Sequence, residues 1–166
     1  MIMRTIIAGL LIATISHPSH AQTVQRIEIV EYGLYSVDVT AKKDDPGSAT
    51  GERATVANIR HVETTTTIPA RIGIEFGFRY KVYGRPNGTT IQLKQVDLIP
   101  QPGIRNPNTG NTSVRSEIVA SPKVGEISYI GWHFDNSWEL VPGTWVMELW
   151  QEDRKLASQS FNVVKP

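Results

Sequence analysis

The chain contains no cysteine. That absence excludes disulfides, zinc–thiolate centres, thiol nucleophiles and lipid attachment through a cysteine, and it leaves packing to stabilise the fold. Charge of one sign is also missing. With Arg4 set aside, the 17 basic residues fall into balance with the 16 acidic ones. A balanced chain has no cationic surplus with which to neutralise phosphates, so nucleic acid and anionic membrane are not expected partners. No apolar run reaches spanning length: Ile6 to Ile15 covers about ten residues, where a transmembrane helix needs about twenty. Helical periodicity is the last absence. No segment after Ala21 repeats apolar residues at i, i+3, i+4 and i+7 over several turns.

The opening residues read as a targeting segment. Arg4 supplies the positive charge, Ile6 to Ile15 the apolar stretch, and Ser19-His20-Ala21 the small residues of a cleavage site. This is the pattern of a secretory signal peptide over residues 1–21, cut after Ala21. The expected location is periplasmic or secreted, with no membrane span in the mature chain. Gln22 to Pro166 then suits one domain, and a chain of that size buries roughly 70% of its unfolded surface.

What is there is β-structure. Short runs of β-branched and aromatic residues alternate with Gly, Pro, Asn and Asp. Val24 to Val30 alternates and continues past Gly33 to Val39. Lys42 to Arg53 has no periodicity and reads as a solvated loop. Val56 to Ile68, rich in Thr and Val, reads as an extended edge strand. Ile72 to Val82 alternates most clearly. Ile72, Ile74, Phe76, Phe78, Tyr80 and Val82 share one face, and Glu75, Arg79 and Lys81 the wet one. Gly77 inside this strand predicts a close approach by a neighbour.

Arg85-Pro86-Asn87-Gly88 predicts a hairpin into a strand from Thr89 to Ile99. There Ile91 and Leu93 differ in parity from Val96 and Leu98, which predicts a bulge near Gln95. Pro100 to Asn111 reads as a loop of stacked turns. Val114 to Val119 and Lys123 to Asp135 read as strands. In the closing hairpin Trp145, Met147 and Leu149 share a face, and Val146, Glu148 and Trp150 oppose them. Leu156 and Phe161 both look like core positions, yet their spacing violates period 2, so a bulge or change of face is expected between them. The predicted fold is an all-β, two-sheet antiparallel sandwich of about eight strands.

Ile68-Pro69-Ala70-Arg71-Ile72-Gly73, Gly84-Arg85-Pro86-Asn87-Gly88 and above all Trp138-Glu139-Leu140-Val141-Pro142-Gly143-Thr144-Trp145 resemble a family of small secreted bacterial proteins catalogued as a domain of unknown function. The resemblance runs from about Tyr32 to Val163. It implies no activity and no catalytic residues. The final hairpin is also similar to the last two strands of immunoglobulin-like domains, which concerns fold only.

Chemistry is sparse. After Ala21 the histidines are His61 and His133. His133 lies near Asp135 and Ser137, but neighbours at i+2 on a strand share a face without forming a tuned base–carboxylate pair. There is no Gly-x-Ser-x-Gly elbow. No metal-binding spacing occurs either. Glu75, Glu139 and Glu148 could be named as paired carboxylates for glycoside chemistry, but on solvated strand faces they serve solubility. No catalytic residue, cofactor or metal is assigned.

The binding candidates are Arg105, Asn106 and Asn108 in the proline-rich loop, and the aromatics Trp138 and Trp150. Trp132, Phe134 and Trp145 are expected in the core. The expected function is a non-catalytic binding module for a protein or envelope ligand. The alternatives are a hydrolase acting on envelope material and a component that assembles through the Thr64 to Thr67 edge. A histidine beside an acid in a cleft would favour the hydrolase. An exposed aromatic shelf would favour binding, and an unprotected edge assembly.

Overall fold

The computed structural model describes residues 23–165; the expected signal peptide lies outside them. The described residues form eleven strands. They are β1 (Thr23–Asp44), β2 (Glu52–Glu63), β3 (Thr67–Pro69), β4 (Glu75–Arg85), β5 (Leu93–Leu98), β6 (Ile104–Arg105), β7 (Thr112–Ser113), β8 (Arg115–Ala120), β9 (Ile127–His133), β10 (Gly143–Gln151) and β11 (Arg154–Val164). Eight of them have six residues or more, and the other three are two- or three-residue pieces. One sheet has the order β2-β1-β4-β9, the second β3-β11-β10-β5-β8, and β6 and β7 form a separate ribbon. Pairing within the two main sheets is antiparallel except between β3 and β11. The all-β sandwich expected from the sequence is present.

The core lies between the sheets. Phe76, Phe78, Tyr80 and Val82 of β4 are all buried, as their alternation requires. Opposite them stand Trp145, Met147 and Leu149 of β10 with Phe161 and Val163 of β11. Trp145 is the centre. Its ring meets Trp132 at 5.1 Å, Phe134 at 5.7 Å and Phe76 at 5.9 Å, all edge-on. Its indole nitrogen donates to the Val141 carbonyl at 2.8 Å. Each such aromatic pair adds about 0.5–1.5 kcal/mol to its area burial. The strand-entry segment before Trp145 therefore also supplies the acceptor its side chain needs.

Several expectations are corrected. The chain turns at Ile72 before β4 begins, with Arg71 N donating to Pro69 O and Ile74 N to Arg71 O. Ile72 is thus 55% exposed rather than in the core. The Asn87-Gly88 turn is not a hairpin, because β4 and β5 lie in different sheets. Buried Ile91 and Leu93 draw the chain across the sandwich instead. β5 carries no bulge; it pairs in unbroken register with both β10 and β8. Its mixed parity has another cause: Gln95 and Asp97 point inward beside Leu93. The Thr64 to Thr66 stretch links the two sheets rather than forming a strand, and only Thr67 enters β3. The bulge in the last hairpin does occur. The register passes from Leu149↔Ala157 to Trp150↔Lys155 and so skips Leu156.

Candidate functional site

The site is made by an arm. β1 pairs with β4 only as far as Tyr35↔Glu75. Beyond Tyr35 it pairs with β2 alone, out to Asp44↔Glu52. This two-stranded arm reaches past the β9 edge of the first sheet and docks on β8 of the second. Glu117 N donates to Gly47 O at 2.8 Å, and Ala49 N to Ser116 Oγ at 3.2 Å. Asn106 Nδ2 holds the Thr50 carbonyl at 2.8 Å. The segment expected to be a solvated loop is therefore mostly strand and a docked turn, with Ala49 buried. Its partners lie far off in sequence, so local periodicity carried no sign of them.

Between the arm, β9 and β5–β8 runs a groove of about 430 Å³. Its inner wall is polar. Asp97, 1% exposed, accepts the Gln95 Nε2 amide on both oxygens, at 3.2 and 3.0 Å. Because it pairs across to Met147 and Ser116, it faces the inter-sheet space. Burial pushes its pKa up to about 7, and the Gln95 bond opposes this.

The other wall holds Glu75, 4% exposed. Its Oε1 accepts the Tyr129 hydroxyl at 2.6 Å. Its Oε2 lies 3.2 Å from His133 Nδ1, an ion-pair distance, yet neither atom has a hydrogen-bond partner. The contact lacks hydrogen-bond alignment. The Glu75 carboxyl still raises the His133 pKa above its ordinary value, while burial offsets part of the rise. Burial, followed by the Glu75 charge, holds the Tyr129 hydroxyl well above its usual pKa.

Glycine makes this crowding possible. A Cβ on Gly131 would fall 2.0 Å from the Tyr129 hydroxyl and 2.5 Å from Glu75 Oε1. Gly77 meets the approach expected of it: its Cβ would lie 2.1 Å from the Ile130 carbonyl.

The groove continues into a second cavity of about 540 Å³, which shares Thr50, Glu52, Asp135 and Glu139 with it. Asn108 and Trp138 line this second cavity. Glu139 stands at the junction, 1% exposed. It accepts Trp132 Nε1 at 3.1 Å and both the backbone and amide nitrogens of Asn136. Burial raises its pKa.

Of the residues singled out by sequence, the fold brings Asn108 and Trp138 to the second cavity, and Asn106 lines neither cavity. Asn106 is buried and acts by anchoring the arm; Asn108 is exposed and Trp138 half-buried. Arg105 is exposed on the ribbon and lines neither cavity. Trp150 is half-buried elsewhere, its indole donating to Glu148 at 2.8 Å. Glu75, Glu139 and Glu148 are all buried, which corrects the expectation that they sit on wet faces. The inward Gln95 and Asp97 were missed. Their signal was the broken parity of β5.

The fold and the groove can be set beside known proteins. Residues 23–163 match the family described as Domain of unknown function (DUF3859). The chain belongs to that family. This bears out the resemblance carried by the Trp138 to Trp145 motif. The DUF3859 chain is similar to a solved immunoglobulin-like protein from Pseudomonas aeruginosa. They share 28% identity at a TM-score of 0.59, over 87% of this chain and 99% of that one. A DNA-bound alkylpurine DNA glycosylase from Pseudomonas fluorescens aligns at a TM-score of 0.38 and 16% identity, over 60% of this chain and 28% of that one, which carries no argument. No curated protein matches the chain.

Proposed function

We propose that this DUF3859 chain is a secreted or periplasmic, non-catalytic binding module, folded as one domain over 22–166, whose ligand occupies the groove beneath the β1–β2 arm. One observation carries the reading: Glu75 Oε2 and His133 Nδ1 are buried in that groove 3.2 Å apart, out of line for a hydrogen bond and with no other partner. A buried polar atom left unpaired costs about 1–3 kcal/mol, and a ligand group can recover it.

Trp132 and Trp138 line the two cavities and report on their contents. Titration of the purified protein with envelope extracts and small-molecule panels is expected to change its tryptophan fluorescence. Trp138→Phe is expected to remove part of that change. A spectrum that no extract or compound alters would end the proposal. The location is tested by fractionating cells and sequencing the amino terminus, with Gln22 expected first.

A hydrolase is the second reading, favoured by His133 beside Glu75 in a groove. His133 Nε2 also lies 3.8 Å from Asp135 Oδ1. Turnover of ester, amide or glycoside substrates that His133→Ala abolishes would establish it in place of the first.

A further inference from the structure

Two buried carboxyl groups of the groove, Asp97 and Glu75, are short of donors, whereas Glu139 accepts three. Asp97 accepts only from the neutral Gln95 amide among the described residues, and no cationic group pairs with it. Glu75 Oε2 has no aligned hydrogen-bond donor: His133 Nδ1 stands 3.2 Å away but out of line. Carboxyl groups held this deep are disfavoured unless a positive group or good donors reach them. Among the described residues no group of three or more His, Asp or Glu is placed to hold a metal ion.

The shape of the acceptors narrows the choice further. Both Asp97 oxygens already contact Gln95 Nε2, so the parallel pair of lone pairs that suits a guanidinium fork is occupied. What remains are single acceptor positions on Asp97 and Glu75. An ammonium has three diverging donors on a compact centre, which matches separate acceptors better than a planar fork does. Aromatic surface from Trp132 and Tyr129 lines the same groove. Such surface favours an organic cation through its ring face.

We propose that the groove binds a primary alkylammonium group, with Asp97 and Glu75 as its acceptors and Trp132 and Tyr129 as its aromatic walls. This rests on the groove being the ligand site proposed above. The ammonium can belong to a free small amine or to a lysine side chain on a peptide. The volume of about 430 Å³ admits either.

Calorimetry on the purified protein tests this with cadaverine, the peptide Ala-Lys-Ala and, as the uncharged match, pentanediol. Amide shifts of labelled protein locate any binding. At least one amine is expected to bind and to shift residues of β5 and β9, while pentanediol does not. Binding by cadaverine alone assigns a free amine, and binding by the peptide alone assigns a lysine side chain. Glu75→Gln and Asp97→Asn keep the side-chain shapes, and each is expected to weaken binding by about tenfold or more, the worth of a hydrogen bond to a charged group. Arg105→Ala is expected to change nothing.

Amines that bind wild type and both variants equally would overturn the inference. So would pentanediol, glucose or glutamate shifting the groove while both amines fail, although the groove would then stand as a ligand site. Failure of every probe to shift the groove or its tryptophans would overturn the inference and the binding reading together.

Discussion

Tyr129 lies across Gly131 and donates its hydroxyl to Glu75 Oε1 at 2.6 Å. The two side chains stand on adjacent antiparallel strands, and the bare Cα between them leaves room for the bond. Gly131→Ala is therefore expected to break it, since the new methyl would sit 2.0 Å from the hydroxyl. Overpacking of this kind costs about 1–3 kcal/mol. Tyr129→Phe removes the donor without the clash and is expected to cost about 1–3 kcal/mol through the unsatisfied carboxyl. Denaturant unfolding of both variants checks this. Wild-type stability in Tyr129→Phe would show that the bond contributes nothing.

Asp97 sets a pH dependence. Its pKa is about 7 in the folded chain and 3.8 when free. The folded state thus holds a proton that the unfolded state has released. Stability from this group is full below about pH 4, falls as the pH rises and is gone above about pH 7. At about 1.4 kcal/mol per tenfold in proton affinity, the change is of the order of 4 kcal/mol at most. His133, with its pKa raised, acts in the same direction, losing its contribution as the pH rises through the folded value. Glu139, raised by burial, does so too. The lowered Glu28 and Glu117 oppose this, but their charges are solvent-screened. Asp97→Asn is expected to unfold at higher denaturant than wild type at alkaline pH and to match it in acid. Parallel wild-type and variant curves across that range would contradict the assignment.

Asn106 ties the arm to the ribbon through the Thr50 carbonyl. Asn106→Ala is expected to cost about 1–3 kcal/mol, the net worth of the two hydrogen bonds its side chain makes, to Thr50 O and from Asn108 N. Its sharper effect is local. Amide exchange over Asp45 to Gly51 is expected to quicken while β4 and β10 stay protected. Uniform quickening would mean that the arm opens only with the whole fold.

Trp150 and Lys155 belong to a separate polar cluster around Glu148. Lys155 Nζ lies 2.9 Å from Glu148 Oε1, and the lysine side chain is 47% exposed. Glu148 is buried, its side chain 6% exposed, so Lys155→Ala leaves its carboxyl with the Trp150 donor and is expected to cost about 1–3 kcal/mol. Neither Lys155→Ala nor Trp150→Ala is expected to alter groove binding. Calorimetry with whichever ligand the groove takes reads this directly.

The sequence by itself determined the architecture. Alternation along Phe76 to Val82 and Trp145 to Leu149 forces one apolar face per strand, and two such faces bury each other. The spacing of Leu156 and Phe161 called for a bulge or a change of face, because both break period 2, and the structure has the bulge, opposite Leu149. The family was legible by resemblance, through the Trp138 to Trp145 motif.

Tertiary structure alone decided the groove. Glu75 reads as wet from its parity, and it is buried because Tyr129, His133 and the arm cover it. Asp97 and Gln95 show in sequence only as a fault in the pattern of β5, open to repair by a bulge. The arm reaches Ser116 and Asn106 through contacts more than fifty residues apart. Periodicity reports which side of a strand a residue takes, but only the packing of a distant segment decides whether that side meets water.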